Sequence, residues 1–135
     1  MKKLTTIILV LLLAAPVAAK DISAVGLLRV SNVSATCGFA FEANGCYRYD
    51  TKTIYLNQHL TGTALALTFW HEYGHFFMAD VSLEEYRRVL DVNASTPDAF
   101  LPEIAANYFA LWALGLHPAG LTPAIERLFV TSILN

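Results

Sequence analysis

Polar and apolar positions alternate at different periods along this chain, and each period predicts a different element. Residues 60–79 are apolar nearly all round, from Leu60 through Trp70 to Ala79. That pattern predicts one buried helix, with Thr61 or Thr63 as its N-cap. Cys46 to Asn57 is rich in β-formers and broken by Asp50-Thr51-Lys52, which predicts a strand, a polar turn and a second strand. Ala24 to Val33 adds a further strand of the same kind. Ser82-Leu83-Glu84-Glu85 is a capping-box signature that opens a short helix to about Leu90, and Asp91 to Pro97 follows as a loop. Pro102 suits the first turn of a helix running to about Leu114, with Gly115 as its stop. Thr122-Pro123 starts a last helix whose Ile125, Leu128, Phe129 and Ile133 face the core. The order predicts an α+β fold: a small antiparallel sheet packed on a central helix, with the Ile54–Asn57 strand at the sheet edge and further helices after it.

The amino terminus has a different character. Met1-Lys2-Lys3 is basic, Leu4 to Ala15 is largely apolar, and Val17-Ala18-Ala19 offers small residues for cleavage. Together they predict a secretory signal peptide over residues 1–19, leaving residues 20–135 as a single domain with no stable membrane anchor. The apolar run is too short for a membrane span. A domain of that size buries about 65% of the surface its unfolded chain exposes, so a covalent staple helps it. The chain has only two cysteines, Cys37 and Cys46, and in an oxidising periplasmic or extracellular compartment they pair most simply as a disulfide closing a short loop. The net charge is −2, and removing Lys2 and Lys3 takes it to −4. With no basic stripe, nucleic acid is excluded as a partner.

Candidate chemistry is concentrated in His71-Glu72-Tyr73-Gly74-His75. Residues four apart lie one above the other on a helix, so His71 and His75 can direct ring nitrogens at one metal ion. Glu72 falls about 100° round the helix, where a general base for a metal-activated water is needed. Imidazoles buried in an apolar helix are costly without partners, and a zinc ion supplies one. Gly74 inside the helix implies close backbone packing. A catalytic zinc needs a third protein ligand. The extended H-E-x-x-H-x-x-G-x-x-H arrangement fails, because Met78 and Val81 stand where its glycine and third histidine belong. His59 and His117 lie at turns or helix ends and read as solvated. Asp91 and Asp98 are loop carboxylates. Glu103 is the better candidate, since Asn107 shares its helix face and its amide oxygen can accept the outer N–H of a ligating imidazole. An oxyanion donor is expected among Tyr49, Tyr55, Tyr73 and Tyr108, none of which stands out.

H-E-x-G-H followed by E-x-x-A-N-x-F-A resembles the gluzincin branch of zinc metallopeptidases. The wording is closest to the ImmA/IrrE-like peptidases, and in size and export the chain is similar to the small secreted minigluzincins. The resemblance covers about Tyr47 to Leu114. It implies a zincin-like fold, a zinc ion held by His71, His75 and Glu103, Glu72 as catalytic base, and a peptide or protein substrate. Many gluzincins carry aspartate where this chain has Asn107, a departure that weakens the comparison with thermolysin more than the one with the ImmA/IrrE-like group. The function expected is an exported zinc-dependent peptidase. The alternative is an exported module that keeps zinc for stability while binding or inhibiting a partner.

Overall fold

The computed structural model describes residues 20–135, so the expected signal peptide lies outside the described residues. A single 3-10 turn, Ile22–Ala24, leads into β1 (Gly26–Val30), α1 (Val33–Cys37), β2 (Gly45–Arg48) and β3 (Thr53–Asn57). Four helices follow: α2 (Gly62–Phe77), α3 (Leu83–Val89), α4 (Phe100–Ala113) and α5 (Pro123–Leu134). The α+β architecture is as expected, with the motif helix α2 packed on the sheet and further helices after it.

The sheet itself corrects two expectations. Its order is β1-β3-β2, with β2 antiparallel to β3 but β1 parallel to it. It is therefore mixed rather than antiparallel, and β3 is the central strand rather than the edge. The edge beside α2 is β2. Side-chain alternation has the same period in either strand of a hairpin, so it does not reveal which of the two lies next to β1. Because β3 takes that place, the reversal at the hairpin leaves β3 running in the direction of β1.

Alternation along the hairpin assigns the faces. Ile54 and Leu56 are buried, and with their partners Tyr47 and Gly45 they face α2. Cys46 faces the other way, toward α1, and is bonded to Cys37 at the end of that helix. The disulfide loop expected between Cys37 and Cys46 thus starts at the end of a short helix, α1, capped by Asn32, whose side chain accepts from the Ala35 amide at 2.9 Å. Gly38 closes it at φ 76°, a left-handed conformation that favours glycine. The disulfide joins Cα atoms 6.7 Å apart, within the usual span. Replacing both cysteines by serine is expected to lower stability by about 2 to 3 kcal/mol, as the loop-entropy account gives for a loop of this length. Urea unfolding would show this as an earlier midpoint.

Helix α2 is held at both ends. Thr61 is its N-cap residue, although its side chain makes no capping bond. At the far end the Lys20 ammonium donates to Phe77 O at 2.6 Å and Phe76 O at 3.2 Å, a cation placed at the negative end of the helix dipole. Behind α2, Gly74 meets α4: a methyl group at position 74 would lie 3.1 Å from the Phe109 ring. Phe109 is itself buried and continues into a run of rings formed by Phe77, Trp112 and Phe129. The close packing expected of Gly74 is found, and it brings α4 alongside the motif helix. In α3 the Ser82 hydroxyl accepts from the Glu85 amide at 3.1 Å, the first half of the expected capping box. The second half is missing, because the Glu85 carboxylate pairs with Arg88 at 2.7 Å instead.

Candidate metal centre

Two helices and one strand edge converge at the site. Helix α2 supplies His71 and His75 one turn apart, and their Nε2 atoms lie 3.1 Å from each other. Helix α4 supplies Glu103, whose Oε2 is 2.9 Å from His71 Nε2 and whose Oε1 is 3.1 Å from His75 Nε2. Three donors on a tetrahedral zinc, each about 2.0 to 2.1 Å from the ion, would stand roughly 3.3 Å apart. The separation of the two Nε2 atoms fits two corners of such a set, Glu103 presents one oxygen to each of them at a similar distance, and the donors are the nitrogen and oxygen types that zinc takes.

Glu72 stands beside this triangle. Its Oε1 is 3.9 Å from His71 Nε2, farther than either oxygen of Glu103 is from its histidine. His71, Glu72 and His75 nonetheless lie close enough to form a cluster of possible ligand atoms, all within 4.8 Å of one another. The carboxylates differ in exposure: the Glu72 side chain is 7% exposed and that of Glu103 is 54% exposed. Glu72 is thus wedged between helix and sheet, whereas Glu103 closes the site from the solvent side.

Outer partners orient the imidazoles. Asn107 Oδ1 lies 2.7 Å from His71 Nδ1, so the ring N–H there donates to the amide oxygen, while Nε2 faces Glu103 and would be the ligand atom with a metal in place. Residues 103 and 107, on one face of α4, both reach the His71 ring. His75 Nδ1 faces the Tyr49 hydroxyl at a long 3.5 Å. Sequence reasoning did not separate Tyr49 from the other tyrosines, and only the hairpin geometry does. Tyr73 packs on Phe69, Trp70 and Phe77. Tyr108 is directed at Gly120, and Tyr55 sits in β3 opposite Cys46.

Charge follows the same geometry. Hydrogen bonds from His71 and His75 hold the Glu103 carboxyl far below the usual carboxylate range, against the effect of burial. Burial pulls His71 down, but its hydrogen bond to Glu103 and the charges of Glu72 and Glu103 outweigh that and raise it. Glu72 is raised by burial, with the two imidazoles opposing. Burial and the nearby Glu103 charge raise the Tyr49 phenol. Two neighbouring carboxylates therefore differ: one is held ionised by its partners, the other is pushed toward accepting a proton.

The remaining candidates lie elsewhere. His59 and His117 are exposed, and His117 is 3.7 Å from Glu126. Asp98 is taken by Arg87 at 2.6 Å, and Asp91 is exposed.

A helix that carries His-Glu-x-x-His against a small sheet, with the ligand atoms of His71, Glu72 and His75 clustered, is an arrangement that could hold a metal ion. Residues 15–80, just under half of the chain, match the model of the Reprolysin_3 family, described as Metallo-peptidase family M12B Reprolysin-like. Over that stretch, which includes the sheet and the whole of α2, the chain is similar to those peptidases. The match stops before Val81 and before α4, so it does not bear on the third ligand. No curated protein and no solved structure matches the chain.

Proposed function

We propose that this chain is an exported zinc peptidase of the gluzincin kind, in which His71, His75 and Glu103 hold the metal and Glu72 is the general base. The observation that carries the reading is the triangle of donors from α2 and α4, with separations that suit one tetrahedral ion. The family match over the sheet and α2 supports peptide bonds as the substrate class.

Zinc bound there supplies a Lewis acid that polarises a carbonyl and lowers the pKa of water to about 7. The rest is done by side chains. Glu72 is buried beside the imidazoles and raised by that burial, so its carboxylate is suited to take a proton and return it to a leaving amine. Asn107 fixes the tautomer of His71. Tyr49, close to His75 and half exposed, is the tyrosine best situated to donate to an oxyanion. The edge strand β2 borders the site and offers backbone groups to an extended peptide.

Two features support export. The signal-peptide pattern of residues 1–19 and the Cys37–Cys46 disulfide both suit an oxidising compartment. No helix among the described residues is long and apolar enough to cross a membrane. The competing reading, a module that keeps zinc without turnover, calls for a fourth protein ligand or a blocked cleft. The exposed faces of Glu103 and Tyr49 beside the histidines favour access instead.

The test is a metal analysis of the purified domain joined to cleavage of an unbiased peptide library. About one zinc per chain is expected, with cleavage that a chelator abolishes and zinc restores. Stoichiometric zinc without cleavage of any peptide or protein substrate would favour the binding module.

A further inference from the structure

Glycine at position 45 is not explained by backbone conformation. The glycines with positive φ are Gly38, Gly62 and Gly115, and Gly45 is not among them. Its surroundings explain it by size. A Cβ at this position would lie 2.6 Å from Thr68 Cγ2, 3.2 Å from Glu72 Cγ and 3.3 Å from Glu72 Oε1. The edge strand therefore touches the motif helix at the side chain that the proposed mechanism uses as base.

Neither surface can retreat easily. Gly45 is paired with the buried Leu56 across the hairpin, and the next residue, Cys46, is tied by its disulfide to α1. One residue before Gly45, the Asn44 carbonyl accepts from the Asn57 amide at 2.8 Å. On the helix side, Thr68 is β-branched, and its hydroxyl donates to Ala64 O at 2.8 Å, which fixes the rotamer that points Cγ2 at the strand. Two residues along β2 the Tyr47 amide faces the Glu72 carboxylate as a donor. Strand β2 thus forms a wall behind Glu72, fastened on its far face by a covalent bond.

We propose that Gly45 is a positioning residue for Glu72: the missing side chain lets the disulfide-anchored edge strand close against α2 and hold the carboxylate beside the imidazole pair. This rests on the reading of Glu72 as the base, but it concerns where that side chain is held and not what the metal does. The atoms nearest a side chain at position 45 belong to Thr68 and Glu72 and not to His71, His75 or Glu103, so a change there acts first on the base.

The decisive variant is Gly45→Ala in a Thr68→Ser background. Serine removes Cγ2, the nearest obstacle, and keeps the hydroxyl that bonds Ala64 O, so the next closest atoms to the added methyl are Cγ and Oε1 of Glu72. Thr68→Ser by itself should leave turnover within about twofold of the parent, because it removes one methyl group and keeps the hydroxyl bond to Ala64 O. The double variant should bind zinc with the parent stoichiometry and affinity and keep its KM. Its kcat should fall by about 10- to 100-fold, as misplacement of a reacting group by a fraction of an ångström to an ångström does. A crystal structure of the double variant should show the Glu72 carboxylate shifted away from β2. Parent kcat, or an unmoved Glu72 in that structure, would overturn the assignment. If the parent cleaves no peptide, the function reading fails separately, and the position of Glu72 in the two crystal structures still decides the role of Gly45.

Discussion

Glu72→Gln is expected to keep about one zinc per chain while lowering kcat by about 10²- to 10⁴-fold, the range associated with loss of a positioned proton acceptor. The amide is nearly isosteric, so the packing between α2 and β2 is preserved. The donor triangle does not include this side chain at bonding distance: Glu72 is 3.9 Å from His71 Nε2, whereas Glu103 reaches the two histidines at 2.9 and 3.1 Å. Metal analysis and steady-state kinetics on the same preparation check both halves. Loss of zinc from this variant would exchange the roles of the two glutamates.

The complementary expectation concerns the third ligand. Glu103→Ala should weaken zinc binding by more than about 100-fold, exceeding the 10- to 100-fold typical of losing a partner that only orients a ligand. Asp98→Ala and Asp91→Ala should leave affinity within experimental error, since Asp98 is paired with Arg87 and Asp91 is exposed. Competition titration against a chromophoric chelator measures all three. Equal affinities for the Glu103 and Asp98 variants would remove Glu103 from the donor set. A control is available in Asn107→Ala, which acts only through the His71 ring and should fall between these limits.

The helices that carry the site were legible because their signals are local. Pro102 and Gly115 bracket α4, and Glu103 and Asn107 share a face by helical spacing alone. The observed helix begins slightly earlier, at Phe100, which leaves Pro102 in the first turn, where its missing N–H costs nothing. Gly74 could be read as a close-contact residue, although its partner could not be named, because Phe109 is far away in sequence. What stayed hidden depends on long-range placement. The polarity of β1, the identity of the edge strand and the contact of Tyr49 with His75 all follow from which hairpin strand sits beside β1. The Lys20 cap on α2 joins residues 56 and 57 positions apart, and no local pattern encodes such a pairing. Helix α1 had a faint signal, Asn32 ahead of Val33 and Gly38 after Cys37, but five residues are too few for periodicity to register.

The contact between Gly74 and Phe109 carries a consequence for how this protein can vary. His75 follows Gly74 directly, and Asn107 precedes Phe109 by two residues, so the spacing of the two helices that carry the proposed ligands is set by one glycine and one aromatic ring in the dry interior. Metal affinity is therefore encoded partly at positions that no ion touches. A larger residue at 74 would spread the donor triangle, and a smaller one at 109 would let it close again. Lineages of this fold should then drift in step at those two positions, while the histidines and the glutamate stay fixed.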